Sequence, residues 1–327
     1  MTFFEIVGVI TIIYYLFYLI YPWFLDCDLH LSLLETFGQP IETLRGKVVW
    51  ITGASSGIGE HLAYVLAKAH CKLILSARRA PELSQVKKKC LEVNPHLQDS
   101  DVEVMVMDIC DLSSHQKCFD HVITKFGRLD VLVNNAGRSQ RAAWEKIDIR
   151  VDKELFDLNV FSLVALSRIV YSYFEEVGHG HLVVTSSLAG VLGVPFSGSY
   201  TGSKHALHGY FQSLRVEKMN KNIPISIVCP GAVQTPFLSE SFTDTIGKKF
   251  GEVTANAKNK LSSERCAHLI AVAMVNHVDE CWIAHSTSLQ LTYLARYYPN
   301  IARVIFQLLG QRFFQYVRDN KVTVASE

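Results

Sequence analysis

Seven short runs of β-forming residues, separated by stretches of helical length, constrain this chain more than any other feature. Lys47 to Thr52, Leu73 to Ser76, Val102 to Met107 and Val131 to Asn134 are the first four. Leu182 to Ser186, Ile225 to Cys229 and Cys281 to Ala284 complete the set. Between them Ile58 to His70, Ser113 to Phe126, Val151 to Phe174 and Ser262 to Asn276 have the length and pattern of helices. Strand and helix in alternation predict a parallel sheet covered on both faces. The expected fold class is therefore α/β, a Rossmann-like doubly wound sheet of about seven strands, with a site outside the carboxyl ends of the strands.

The flanks differ from this body. Ile6 to Leu25 carries no charged residue, and twenty helical residues rise about 30 Å, the thickness of a bilayer's hydrocarbon core. Tyr21, Pro22, Trp23 and Phe24 close the run like an interfacial aromatic belt, and Asp26 and Asp28 mark a return to water. A single-pass N-terminal anchor is expected. A cleaved signal peptide leading to the secretory pathway is the alternative, opposed by the lack of a basic leader and of small residues at a cleavage point. The organisation expected is an anchor at 1–25, a linker at 26–44, a catalytic domain at 45–285 and a C-terminal tail at 286–327. In the tail, Ile301, Val304, Ile305, Leu308 and Leu309 form an amphipathic stripe. It suits a helix lying on membrane lipid, and equally one packed on the domain or on a second subunit of a homodimer.

Composition excludes several classes. Charged residues are 19% of the chain and net charge is +1, with no basic block longer than Lys87 to Lys89, so no nucleic-acid partner is expected. The eight cysteines lack close pairing, which signals neither a metal site nor a disulfide framework.

The chemistry concentrates at four places. Thr52-Gly53-Ala-Ser55-Ser56-Gly57-Ile58-Gly59 follows the first strand, where glycines permit a tight turn and the helix amino end stabilises a pyrophosphate. After the second strand stand Arg78 and Arg79, where an NAD-specific fold offers an acid to the ribose; two bases favour a 2′-phosphate. Asp108 follows the third strand, and Asn134-Asn-Ala136-Gly137 ends the fourth. Finally Tyr200 and Lys204 share one helix face, four residues apart, downstream of Ser187 at a strand end. Asn159 lies in an otherwise apolar helix.

Taken with Pro230-Gly231 and Thr235, this ordered set resembles the short-chain dehydrogenase/reductase family. Leu73 to Arg79, Cys90 to Glu92 and Ser203 to Leu207 are most similar to its membrane-anchored dehydrogenase/reductase member seven type. The resemblance implies that Tyr200 exchanges a proton with a carbonyl or alcohol oxygen while hydride passes to or from NADPH/NADP+. It implies that Lys204 holds the nicotinamide ribose and lowers the tyrosine pKa. Ser187 would bind the substrate oxygen, and Asn159 would support a proton relay. The glycine turn would hold pyrophosphate, Asp108 meet adenine, Asn134, Ala136 and Gly137 lie along the cofactor, and Thr235 meet the carboxamide. Ser56 departs from the pattern, since many NADPH-linked relatives place a second base there. In the family, Pro236 to Leu261 forms a flap over the substrate. The expected function is NADP(H)-dependent interconversion of a lipophilic carbonyl and alcohol, such as a retinoid or steroid, at the endoplasmic reticulum membrane. A reductase of long-chain keto-lipids and a cofactor-binding sensor or scaffold with little turnover are the alternatives.

Overall fold

All seven expected strands form, and they make one parallel sheet. A computed structural model describes residues 2–251 and 260–319. Its strands are β1 (Val48–Thr52), β2 (Lys72–Ala77), β3 (Val102–Val106), β4 (Val131–Asn134), β5 (His181–Thr185), β6 (Ile225–Pro230) and β7 (Glu280–Ile283). The order is β3-β2-β1-β4-β5-β6-β7, every pairing parallel. Central β1 is buried along its whole length. Its side chains alternate between two cores: Val49 and Ile51 pack with α3 (Gly57–Lys68), α4 (Ala80–Val93) and α9 (Ser263–Val275). Val48 and Trp50 pack with α5 (His115–Phe126), α7 (Ser162–Val177) and α8 (Gly198–Glu217). Period-two alternation with both faces apolar is what a sheet covered on both sides requires.

The strand order reverses between β1 and β4, so the turns that follow these strands diverge and leave a crevice. The glycine turn and the Asn134–Gly137 turn sit at that point. This is the feature of the fold that positions the site.

The helix expected from Val151 to Phe174 is interrupted. It comprises α6 (Ile149–Phe156), a π turn at Asp157–Phe161 containing Asn159, and α7. Such single π turns collect at functional sites. Among the described residues, 149–177 is the one helical stretch long and apolar enough to cross a membrane, and half of its apolar window is buried inside the protein. It is a core element.

The N-terminal helix α1 runs Phe3–Ile20, starting earlier than the expected span, and a 3-10 turn covers Tyr21–Phe24. Ile6, Ile10, Ile12, Ile13 and Leu16 are all exposed. The stretch 26–44 packs on the domain instead of linking to it. Asp28 caps α2 (Leu29–Phe37) through a bond from the Leu31 N–H. The Asp28 N–H donates to the Trp282 carbonyl at 2.8 Å and Ala284 donates to the Asp26 carbonyl at 2.9 Å. Arg265 of α9 binds Asp26 and Glu35. Asp28 therefore marks the docking of this segment on β7, not a return to water.

The tail forms two helices, α10 (Ser286–Tyr297) and α11 (Pro299–Asp319), broken where Pro299 cannot continue the hydrogen-bond ladder. Gly310, at φ 70°, kinks α11. Tyr293 and Tyr297 stack on each other, and both meet the Trp282 ring at a tilt. Ile301, Val304 and Leu308 face outward.

Candidate active site

The glycine turn is shaped by close approach. Gly53 and Gly57 have φ of 66° and 61°, in the left-handed region. A Cβ on Gly59 would stand 2.5 Å from the Gly53 carbonyl oxygen, so this glycine seats α3 against the turn. The Thr52 hydroxyl accepts from the Asn135 and Ala136 N–H groups at 2.9 and 3.1 Å, and Asn135 Nδ2 donates to the Thr52 carbonyl at 3.1 Å. These bonds fix the turns after β1 and β4 to each other.

Between them opens a groove of about 520 Å³. It collects Thr52, Gly53, Ser55, Ser56, Gly57 and Ile58 from the turn, with Arg78, Arg79 and Asp108 beyond β2 and β3. Ala136, Gly137, Ser187, Tyr200, Lys204, Pro230, Gly231 and Thr235 line its other end. Most of the residues expected from sequence thus share one cavity.

Three assignments change. Asn134 is fully buried and turns away, its Nδ2 donating to Ser167 Oγ at 2.8 Å, so it ties β4 to α7. Strand alternation gives the groove to Asn135 instead. Asn159 is likewise outside the groove. Its Oδ1 accepts from the Arg138 N–H at 2.8 Å, and its Nδ2 donates to the Arg138 carbonyl and to Ser203 Oγ. With its amide committed, Asn159 is a positioning residue that pins the post-β4 turn to α8. Gly59 packs rather than lines.

Arg79 reaches further into the glycine turn than its place after β2 indicates. Its Nη2 donates to both Ser55 and Ser56 hydroxyls at 3.0 Å. A base missing from position 56 in the sequence is thus supplied in space from the end of β2. Asp108 accepts from the Cys110 N–H at 3.0 Å, capping its own turn while facing the groove.

Tyr200 sits in the first turn of α8 and is buried. Its phenol pKa is raised by burial, which outweighs the lowering effects of a hydrogen bond with Ser187 and of the Arg141 charge. Lys204 is not among the groups that lower it. Its Nζ lies 5.8 Å from the Tyr200 ring centroid and donates to the Thr185 carbonyl at 2.8 Å. Burial pushes the Lys204 ammonium down to about 8. Burial therefore keeps Tyr200 protonated at neutral pH. Ser187 donates to the Pro230 carbonyl at 3.1 Å and accepts from the Ala189 N–H at 3.1 Å, which fixes its hydroxyl beside the phenol. Arg141, which nothing in its sequence context marked, is held by Gln140 and Ser197 at the start of α8.

A second cavity, about 140 Å³, meets the first at Ser187 and Tyr200. Its remaining walls are mostly apolar, including Leu188, Leu192, Val194, Leu291 and, from α11, Phe314. The flap expected from Pro236 to Leu261 is described at 236–251 and 260–261; 252–259 lie outside the described residues. Phe237 packs edge-on against Tyr200. His208 is buried, its Nδ1 3.5 Å from the Glu280 carboxylate. Among the described residues no cluster of side chains is arranged to hold a metal ion.

A Rossmann-like sheet, a glycine turn and a Ser-Tyr-Lys group at one crevice define a class. The chain belongs to the short-chain dehydrogenase/reductase family, whose short chain dehydrogenase model matches residues 47–246. It is 39% identical to human dehydrogenase/reductase SDR family member 7 over 88% of this chain and 85% of that one. The mouse protein of the same name is 38% identical over 90% and 87%. Both likenesses support the member seven type. In fold it is similar to levodione reductase (TM-score 0.66, 24% identity, 75% of this chain and 99% of that one). It is also similar to an alcohol dehydrogenase of the archaeon Thermococcus sibiricus complexed with 5-hydroxy-NADP (TM-score 0.64, 23% identity, 74% and 97%).

Proposed function

We propose that the protein is an NADP(H)-dependent reductase of lipophilic carbonyl compounds, such as retinoids or steroids, with Tyr200 as the general acid. The observation that carries this reading is the meeting of two cavities at one protonated, buried tyrosine. One is a basic groove and the other an apolar pocket.

The groove's residues fit a nicotinamide dinucleotide. The glycine turn has no room for a Cβ at Gly53 or Gly59, leaving backbone N–H groups and the α3 amino end free to meet a pyrophosphate. Arg78 and Arg79 supply the charge that a ribose 2′-phosphate would balance, and Arg79 does so beside Ser56. Thr185 Oγ1 is buried without a partner near Lys204, a polar atom suited to a ligand group. The cofactor, when bound, supplies hydride. The chain's own residues do the rest: Ser187, on turning its hydroxyl proton from the Pro230 carbonyl to the substrate, orients the carbonyl oxygen, Tyr200 gives its proton to that oxygen, and Lys204 holds the ribose. Positive charge from an oxidised nicotinamide would then favour tyrosinate for the reverse reaction.

The apolar pocket and the exposed faces of α1 and α11 support a lipophilic substrate reached from a membrane. An anchor at α1 accords with its run of exposed apolar side chains, and the endoplasmic reticulum is the membrane we assign. Small-molecule pockets usually measure about 300–1,000 Å³, so a steroid does not fit 140 Å³ unless the α11 wall gives way. The kink at Gly310, just before Phe314, is where that wall can bend.

The test is NADPH oxidation by the full chain in detergent against retinoid, steroid, keto-lipid and small water-soluble carbonyls. Turnover of the retinoid or steroid supports the proposal, and turnover confined to keto-lipids moves the substrate class. Nucleotide binding with no turnover of any carbonyl refutes it in favour of a sensor or scaffold.

A further inference from the structure

The groove has a basic residue that the motif does not include. Lys249 reaches it from the segment after β6, and so does Glu240, the acid that neutralises it. The pair is placed by backbone. Phe242 donates its N–H to the Ser139 carbonyl at 2.9 Å, and Arg141 donates to the Phe242 carbonyl at 2.8 Å. Lys249 then pairs antiparallel with Phe242, so its Cα is fixed relative to the turn after β4.

Charge at this rim is out of balance with a simple surface cluster. Arg78, Arg79, Arg138, Lys204 and Lys249 line the groove, against Asp108 and Glu240. Glu240 takes Lys249 Nζ at 2.9 and 3.1 Å and Arg138 Nη2 at 3.0 Å. Those two bases, with Arg79 further off, hold its carboxyl below the usual range. A carboxylate there repels any phosphate that enters, unless its partners are also the phosphate's partners. The two differ in freedom. Arg138 is anchored through both backbone groups to Asn159, and its guanidinium lies 5.4 Å from the Phe242 ring centroid. Lys249 is about half exposed, on a flexible four-carbon stem.

We propose that Lys249 is a ligand of the dinucleotide's phosphates, and that Glu240 is its counter-ion, which yields it when a phosphate competes. This rests on the nicotinamide-dinucleotide reading above. Arg138 stays with Glu240 and keeps that carboxylate neutralised. The pyrophosphate is common to NADH and NADPH, so the contribution of Lys249 is to affinity for both, whereas Arg78 and Arg79 separate the two.

The experiment is equilibrium binding of NADPH and of NADH, followed by nucleotide fluorescence, for the full chain and for Lys249→Met and Glu240→Gln. Both side chains are substantially exposed, so both variants fold. Lys249→Met is expected to raise Kd about five-fold for each nucleotide, the scale of one half-exposed charge-assisted contact. Glu240→Gln is expected to lower both Kd values, because a competing negative charge is gone. An unchanged Kd in Lys249→Met overturns the inference, as does Glu240→Gln weakening binding as much as Lys249→Met, which would make the pair a structural brace. If the unsubstituted protein binds neither nucleotide, the cofactor reading fails and this inference with it. Binding of both with an unaffected Lys249→Met removes this inference alone.

Discussion

Replacing Arg79 by serine removes the guanidinium that joins the end of β2 to Ser55 and Ser56, and with it one of the two charges that the proposed function assigns to a ribose 2′-phosphate. A hydrogen bond to a charged group is worth about 1.5–3 kcal/mol when well buried. The Arg79 side chain is 50% exposed and shares its charge with Glu82, so solvent and that partner reduce the figure to about 1 kcal/mol. That is about five-fold in Kd. NADH has no 2′-phosphate, so its Kd should stay within two-fold or so of the starting value. Arg78→Asp goes further, since it adds a repelling charge at the same groove. Titrating both nucleotides into the wild type and each variant gives the NADPH/NADH affinity ratio directly. The account predicts a ratio lower by about five-fold for Arg79→Ser and lower still for Arg78→Asp. An unchanged ratio, or equal weakening of both nucleotides, would refute the assignment of these arginines to the 2′-phosphate.

Four further outcomes follow from the geometry. Phe314→Ala should raise kcat/KM for bulky ketones relative to small ones by opening the α11 wall, and an unaltered ratio counts against that wall as the limit. Because burial raises the Tyr200 pKa, carbonyl reduction should be level through neutral pH and fall only in the alkaline range where the phenol loses its proton; a decline beginning below pH 7 would contradict this. Asn159→Ala leaves both backbone groups of Arg138 without their side-chain partner, at a cost of about 2–3 kcal/mol, visible as a lower urea midpoint. His181 is buried against Ser226, and burial lowers its pKa from 6.5 to about 3. Between those values the unfolded chain binds a proton that the folded chain does not, so stability falls as pH drops below 6.5. From pH 7 to 5 the loss is about 2 kcal/mol, and His181→Gln should remove that slope in urea titrations.

The sheet was readable because apolar β runs of four to six residues, separated by helical lengths, have few other ways to bury both faces. The glycine turn and Tyr200-x-x-x-Lys204 were readable for a similar reason, since each places its chemistry within one turn of chain. What the sequence hid depends on direction and distance. Asn134 and Asn135 differ only in strand phase, which decides that the second meets the groove. Arg79 and Ser56 are 23 residues apart and join only because β1 and β2 are neighbours. Segment 26–44 reads as a linker, yet its backbone docks on β7, some 250 residues away. Burial of the Tyr200 phenol depends on the whole fold around it, so its raised pKa was not readable from the four-residue spacing to Lys204.

The central claim is that Tyr200 delivers the proton. It is tested most directly by Tyr200→Phe, measuring single-turnover NADPH oxidation with a responsive carbonyl alongside NADPH affinity on the same preparation. The account predicts a fall in rate of roughly 10²–10⁴-fold, the usual range for loss of a general acid, with Kd for NADPH nearly unchanged. A variant that still reduces the carbonyl at close to the original rate would contradict it.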